Sequence, residues 1–116
     1  MGIHGEPGIR RGKLKSADEI TQELSDKILD DINLSSGDEI SVLINSLGAT
    51  PLEELFITAN KFNKILKEKN IINKKSYVGR YATSMEMAGM SISILKLDNE
   101  LEKFLLDKAS CPFWIQ

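Results

Sequence analysis

The chain opens without an apolar rhythm. Gly2, Gly5, Pro7 and Gly8 crowd its start, and Arg10, Arg11, Lys13 and Lys15 follow. Residues 1–15 read as an irregular segment that needs another surface to pack against. Periodicity begins at Ser16, where Ser16 and Glu19 have the spacing of a capping box. Ile20, Leu24, Ile28, Leu29 and Ile32 then recur at helical spacing and predict a helix from about Ala17 to Ile32. Ser35-Ser36-Gly37-Asp38 is turn chemistry. The aliphatic run Ile40 to Leu47, with Val42-Leu43-Ile44 consecutive, predicts a strand covered on both faces.

Gly48-Ala49 turns the chain. Thr50-Pro51-Leu52-Glu53 predicts a helix start, with Thr50 as N-cap and Pro51 in the first helical position. Leu52, Leu55, Phe56, Ala59, Phe62 and Leu66 form the expected inward stripe, and Lys67 and Lys69 suit the end of a helix closing near Asn70. Ile71 to Val78 reads as a second strand interrupted by Asn73-Lys74-Lys75. Gly79 to Gly89 reads as a loop with one helical turn. Met90 to Leu97 alternates and predicts a third strand with one wetter face, able to run antiparallel to the second. Asp98 caps a last helix through about Lys108, with Leu101, Phe104 and Leu105 inward. Pro112, Phe113 and Trp114 follow.

The order is helix, strand, helix, strand, strand, helix. Strand–helix–strand makes a parallel crossover, which is right-handed as a rule. The fold class is therefore α+β: residues 16–116 form a small α/β sandwich with a mixed sheet and helices on one or both faces.

Composition narrows the function classes. A chain of 116 residues fits one domain. One Cys makes no internal disulfide, and one His with one Cys builds no His/Cys zinc site, so no metal is expected. A net charge of -2 and a pI near 5.4 argue against nucleic acid as partner. No apolar run is long enough to span a membrane, and no signal peptide is read, so the expected location is cytoplasmic.

Few residues stand out for chemistry. His4, alone of its kind, lies in Gly2-Ile3-His4-Gly5-Glu6-Pro7-Gly8. Its imidazole is mostly neutral at pH 7 and can act as nucleophile or base. A terminal His in an unpacked Gly/Pro segment is the plainer reading. Gly48-Ala49-Thr50-Pro51 places a strand end, a turn and a helix start in succession. Its backbone N–H groups, with the Ser84 hydroxyl, are possible polar or anion contacts, although a capped helix start accounts for the same residues. Thr83, Ser84 and Glu86 share a loop whose methionines suit core filling. The basic cluster suits a phosphate, an acidic partner or plain solvation. Cys111 has no candidate base near it in sequence.

Three segments taken together are more specific. They are Met1-Gly2-Ile3-His4-Gly5-Glu6-Pro7-Gly8-Ile9, then Leu43 to Leu55 around Gly48-Ala49-Thr50-Pro51, then Tyr77 to Gly89 around Thr83-Ser84-Met85-Glu86-Met87, running on to Leu95-Lys96-Leu97-Asp98. The set resembles the second half of the dihydroxyacetone (glycerone) kinase substrate-binding subunit, over nearly the whole chain and in the family's order.

The resemblance implies that His4 bonds covalently to the carbonyl of dihydroxyacetone as a hemiaminal, with Gly5 and Glu6 beside the substrate. It implies a larger preceding domain that supplies most of the pocket and that these 116 residues do not include, so the chain alone is expected to be inactive. It implies no cofactor in this chain: ATP or ADP with Mg belongs to a nucleotide-carrying kinase subunit or another domain. The full-length protein is expected to be a homodimer. Arg80 stands where the family often has Asn or another small polar residue. Co-activator paralogues that bind dihydroxyacetone without phosphorylating it share the pattern, as does a purely structural role in subunit packing.

Overall fold

The computed structural model describes residues 8, 9 and 11–116. Within them, β1 (Glu39–Gly48) is the middle strand of a three-stranded sheet. It pairs in parallel with β2 (Ile72–Gly79) and antiparallel with β3 (Ala88–Lys96). The sheet is mixed and the fold is α+β, as the sequence predicts. The third strand runs opposite to the second, but its hydrogen bonds go to β1 rather than β2.

The alternation along β1 sets the two faces of the sheet. Ile40, Val42 and Ile44 are at most 1% exposed and point to the face that carries α1 (Ala17–Ile32) and α2 (Leu52–Glu68). Leu29 of α1 and Leu55, Phe62, Ile65 and Leu66 of α2 close this core, with Ile92 and Ile94 of β3 packed at its margin. Ser41, Leu43, Asn45 and Leu47 point to the other face, and Asn45 and Leu47 are buried there.

α1 begins as its sequence predicts. The Ser16 hydroxyl accepts from the Glu19 N–H, and the Glu19 carboxylate accepts from the Ser16 N–H at 2.9 Å. The Ser16 hydroxyl also donates to the Glu19 carboxylate at 2.7 Å, and that bond first, then the one from the Ser16 N–H, holds the Glu19 carboxyl below the usual glutamate range.

The start of α2 differs from the expectation. Pro51 is the N-cap and the helix starts at Leu52, one residue late, with no side-chain cap. Thr50 is drawn inward instead: its carbonyl accepts from the buried Ser46 hydroxyl at 2.7 Å. The inward row is Leu55, Thr58, Phe62, Ile65 and Leu66, while the expected Leu52 and Phe56 are 48% and 57% exposed. The helix is rotated so that Thr58 faces β3, where its hydroxyl donates to the Met90 sulfur at 3.2 Å.

Asn73-Lys74-Lys75 does not interrupt β2. Ile40 pairs with Asn73 and Ser41 with Lys75, so Lys74 is the one extra residue of a β-bulge. Its ammonium reaches Glu102 at 2.7 Å and Glu39 at 3.4 Å, and both carboxylates raise its pKa. Glu102 lies on α3 (Asn99–Leu106), which Asp98 caps by accepting from the Leu101 N–H at 2.8 Å. α3 is shorter than expected and buries no residue; Phe104, expected inward, is 62% exposed. A small antiparallel pair, β4 (Ser110–Cys111) and β5 (Trp114–Ile115), ends the chain. Residues 80–87 hold no helical turn.

Candidate functional site

In an open α/β sheet, ligands gather outside the carboxyl ends of the parallel strands. Here that end carries Gly48, where β1 passes towards α2, and the 80–87 loop that follows β2. Six hydrogen bonds fasten the end of β1 and this loop together. The Gly48 N–H donates to the Thr83 hydroxyl at 2.7 Å, and the Ala49 N–H donates to the Met87 carbonyl at 2.7 Å. The Arg80 guanidinium donates to the Gly48 carbonyl at 2.7 Å. Asn45 is 4% exposed: its amide donates to the Ala82 carbonyl at 2.6 Å and accepts from the Tyr81 and Ala82 N–H groups at 2.8 and 3.1 Å.

Gly48 has φ +67, and a Cβ placed there would lie 2.0 Å from the Met87 carbonyl oxygen. Only glycine tolerates both the left-handed backbone and that approach. The turn therefore belongs to a rigid corner in which the N–H groups of Gly48 and Ala49 already have partners. Thr50 is buried behind it, and the Ser84 hydroxyl donates to the Met85 carbonyl at 3.3 Å. The structure thus brings Gly48 and Thr50 into one corner with Arg80 and Thr83. Tyr81 and Met85 rise from it, 42% and 90% exposed.

His4, Gly5 and Glu6 lie outside the described residues, as do Arg10 and the first part of the glycine-rich segment. Of the basic cluster, Lys15 pairs with Glu23 at 3.0 Å, and Arg11 and Lys13 are exposed.

Asn45 is the residue that sequence reading misses. Its signal was available: an amide in the aliphatic run Leu43-Ile44-Asn45-Ser46-Leu47 must find partners once buried. What the run does not say is that the partners are backbone groups some 36 residues away.

Away from this corner, a concavity of about 290 Å³ lies on the sheet's other face, lined by Lys75, Tyr77, Tyr81, Phe113 and Trp114 among others. The Trp114 ring lies 4.7 Å from Tyr77 and 5.1 Å from Tyr81, centroid to centroid. The Tyr77 hydroxyl meets the Gln116 side chain. Burial, and then the neighbouring Tyr81, push the Tyr77 pKa up, so it stays a neutral phenol at physiological pH. Cys111 is exposed near this groove's rim strand. Among the described residues, no group of His, Cys, Asp and Glu is arranged to hold a metal, and no helix is long and apolar enough to cross a membrane.

The match to known proteins runs through the sequence as well as the fold. The dihydroxyacetone-binding subunit DhaK of the PTS-dependent dihydroxyacetone kinase 2 of Listeria innocua is 40% identical over 114 residues, covering 98% of this chain and 34% of that protein. The L-erythrulose kinase of Pectobacterium atrosepticum is 40% identical over 116 residues, covering 97% of this chain and 20% of that protein. Among solved structures, the dihydroxyacetone kinase operon co-activator Dha-DhaQ superposes with a TM-score of 0.81 at 30% identity, over 90% of this chain and 33% of that one. The chain spans about a third of the length of these relatives, or less. Residues 1–113 match the family described as the Dak1 domain, and the chain belongs to that family.

Proposed function

We propose that this chain is the second part of a dihydroxyacetone-binding kinase subunit, and that His4 holds the substrate. The single observation that supports this best is the 40% identity, over almost the whole chain, to a subunit named for binding dihydroxyacetone. A neutral imidazole nitrogen adds to the ketone carbon. The C=O π bond opens to an alkoxide that takes up a proton, and the ring loses one from its other nitrogen, leaving a neutral hemiaminal. Such a bond separates a short ketone from glycerol, which has no carbonyl. It also fixes the terminal hydroxyl for phosphoryl transfer, a reaction that depends largely on positioning. Gly5 and Glu6 adjoin the bound ketone. Gly48 and Thr50 serve through the corner they share with Arg80 and Thr83, and Ser84 from the loop that carries those two.

The remaining parts lie elsewhere. A further domain of the same subunit encloses the pocket, and ATP or ADP with Mg sits on a nucleotide-carrying kinase subunit. The full-length subunit pairs as a homodimer in the cytoplasm. The likeness to an erythrulose kinase supports short ketoses as the substrate class.

The test is NMR of dihydroxyacetone labelled with ¹³C at its carbonyl. Adding the chain should move part of the signal from the ketone to the tetrahedral-carbon region, and His4→Ala should abolish that change. An identical spectrum with and without the unsubstituted chain would overturn the adduct. Phosphorylation of the ketone by the 116-residue chain with a nucleotide-carrying partner would overturn the reading that it is only part of the enzyme.

A second reading has its own support. The structural neighbour Dha-DhaQ is named a co-activator rather than a kinase. In that role the ketone is bound but never phosphorylated. Assay of the full-length subunit with kinase partners decides between the two: turnover selects the enzyme, and adduct formation without turnover selects the co-activator.

A further inference from the structure

The corner at the end of β1 has more hydrogen-bond donors than acceptors. The Arg80 guanidinium gives one nitrogen to the Gly48 carbonyl. Its other N–H groups remain to be used. Among the described residues, no carboxylate pairs with it. The Thr83 hydroxyl accepts from the Gly48 N–H, which leaves its own O–H to donate. One group is bonded to the carbonyl of Gly48 and the other to its N–H, so the two are neighbours. Both side chains are exposed.

The pair is held in place from behind. Asn45 bonds the backbone of Tyr81 and Ala82, the two residues between Arg80 and Thr83. The Tyr81 ring folds back along Gly79, where a Cβ would meet it at 3.1 Å, and stands 5.1 Å from Trp114. Tyr81 therefore turns to the aromatic groove, while Arg80 turns to Gly48. The pair also lies outside the carboxyl ends of the two parallel strands, where ligands of open α/β sheets gather. Glu53, Glu54 and Glu86 are exposed carboxylates on the adjoining segments. They cancel any general positive field, so an anion here is held by direct hydrogen bonds.

We infer that Arg80 and Thr83 hold the oxygens of a phosphoryl group. The planar fork offers parallel N–H bonds to a tetrahedral oxyanion, and the Thr83 O–H adds another from the side. The N–H groups of Gly48 and Ala49 take no part, because Thr83 and Met87 already hold them. The role of the contact rests on the reading of the chain as part of a kinase subunit. The group is then the one that passes to the terminal hydroxyl of the ketone, and a fixed guanidinium offsets the charge on its oxygens during transfer.

Inorganic phosphate is titrated into the 116-residue chain at constant ionic strength, balanced with chloride, and followed by ¹H–¹⁵N NMR. The amides of residues 80–84 and the Arg80 Nε–H should shift along a saturating curve. Arg80→Gln should raise the Kd at least about tenfold, as the loss of a charge-assisted pair of bonds requires. Arg80→Lys keeps the charge without the fork and should fall between the two. Thr83→Ala should weaken binding, and Thr83→Ser should restore it. Shifts that never saturate, or that persist unchanged in Arg80→Gln, would overturn the inference. Dihydroxyacetone phosphate and ATP with Mg separate the sources: the tighter of the two names the phosphoryl group the site is built for. In the full-length subunit with a nucleotide-carrying partner, Arg80→Gln should lower kcat at least about tenfold at unchanged KM for the ketone. A rise in KM alone would overturn the role in transfer. The phosphate titration needs no ketone adduct, so phosphate binding without an adduct at His4 would break the proposed function and leave this contact standing.

Discussion

α2 and α3 are both amphipathic on paper, and they fare differently. α2 buries Leu55, Thr58, Phe62, Ile65 and Leu66 against the sheet. α3 has a capped start and apolar residues at helical spacing, yet it buries nothing, and Leu101, Phe104 and Leu106 are 38%, 62% and 50% exposed. The difference lies in what each helix meets. α2 meets Ile40, Val42 and Ile44 on a strand flanked by two others, whereas α3 is held to β2 mainly by the Lys74–Glu102 ion pair. An amphipathic pattern states that a face will be covered; it does not say by what. Large exposed apolar patches mark interaction surfaces. The α3 face accordingly suits the further domain or second subunit proposed for the full-length protein.

The sharpest way to break this contrast is at its buried end. Phe62 is 1% exposed at the centre of the α2 row. Phe62→Ala should cost about 3–5 kcal/mol, the lost transfer energy plus the cavity left behind. Urea unfolding followed by circular dichroism would show it as a large fall in the midpoint. A loss below about 1 kcal/mol would mean that the core is looser than its burial indicates.

The corner at the end of β1 comes next. Gly48→Ala introduces a Cβ into the Met87 carbonyl and a left-handed strain together. The expected cost exceeds about 1 kcal/mol. Because the same residue takes bonds from Arg80 and gives one to Thr83, faster amide exchange should be confined to the 80–87 loop and its neighbours. Uniformly faster exchange would instead mark a global effect and deny the corner a local role.

What the sequence discloses follows the same division. Ser16 with Glu19, Asp98 with Leu101, and the aliphatic run of β1 are local signals, and each element they mark is present. The pairing of β3 with β1 is a property of the whole sheet and is not written in any one segment. Of the expected α2 stripe, Leu55, Phe62 and Leu66 face the core, while Leu52 and Phe56 turn outward and Thr58, a polar residue the apolar count passes over, turns in to meet Met90. At the site, Gly48 and Thr50 were legible as a turn. The hydrogen bonds that make it a rigid corner join it to distant positions: Gly48 to Thr83 and Arg80, and Asn45 to Tyr81 and Ala82. The His4 reading rests on the three family segments taken together and lies outside the described residues.

A smaller effect separates the turn before β1 from the buried core. Lys96 bonds the Asp38 carboxylate at 2.6 Å and the Ser35 N–H donates to it at 2.7 Å; the Lys96 bond is the larger cause of its lowered pKa. A carboxyl whose folded pKa is depressed contributes stability that is fully present above its unfolded value, about 3.9. The contribution is lost as the pH falls through the lower folded value. The Asp38 side chain is partly exposed, so the effect is small. Melting measured between neutral and strongly acidic pH should therefore fall more steeply for the unsubstituted chain than for Asp38→Asn, with the two curves converging at the acid end. Parallel curves across that range would show that the ion pair contributes nothing.

The least effect is expected where the contrast began. Phe104 is 62% exposed on α3 and takes no part in the core cluster. In the 116-residue chain, Phe104→Ser should change stability by no more than about 0.5 kcal/mol, the range usual for surface substitutions away from caps and buried groups. In the full-length subunit the same substitution should cost markedly more if the α3 face is covered there, because a buried aromatic would then be lost. Paired urea titrations of the short and long chains read the difference directly. An equal and small loss in both would show the α3 face to be solvent-exposed in the assembled protein. The apolar residues there would then be no more than the scattered surface hydrophobes that many soluble domains carry.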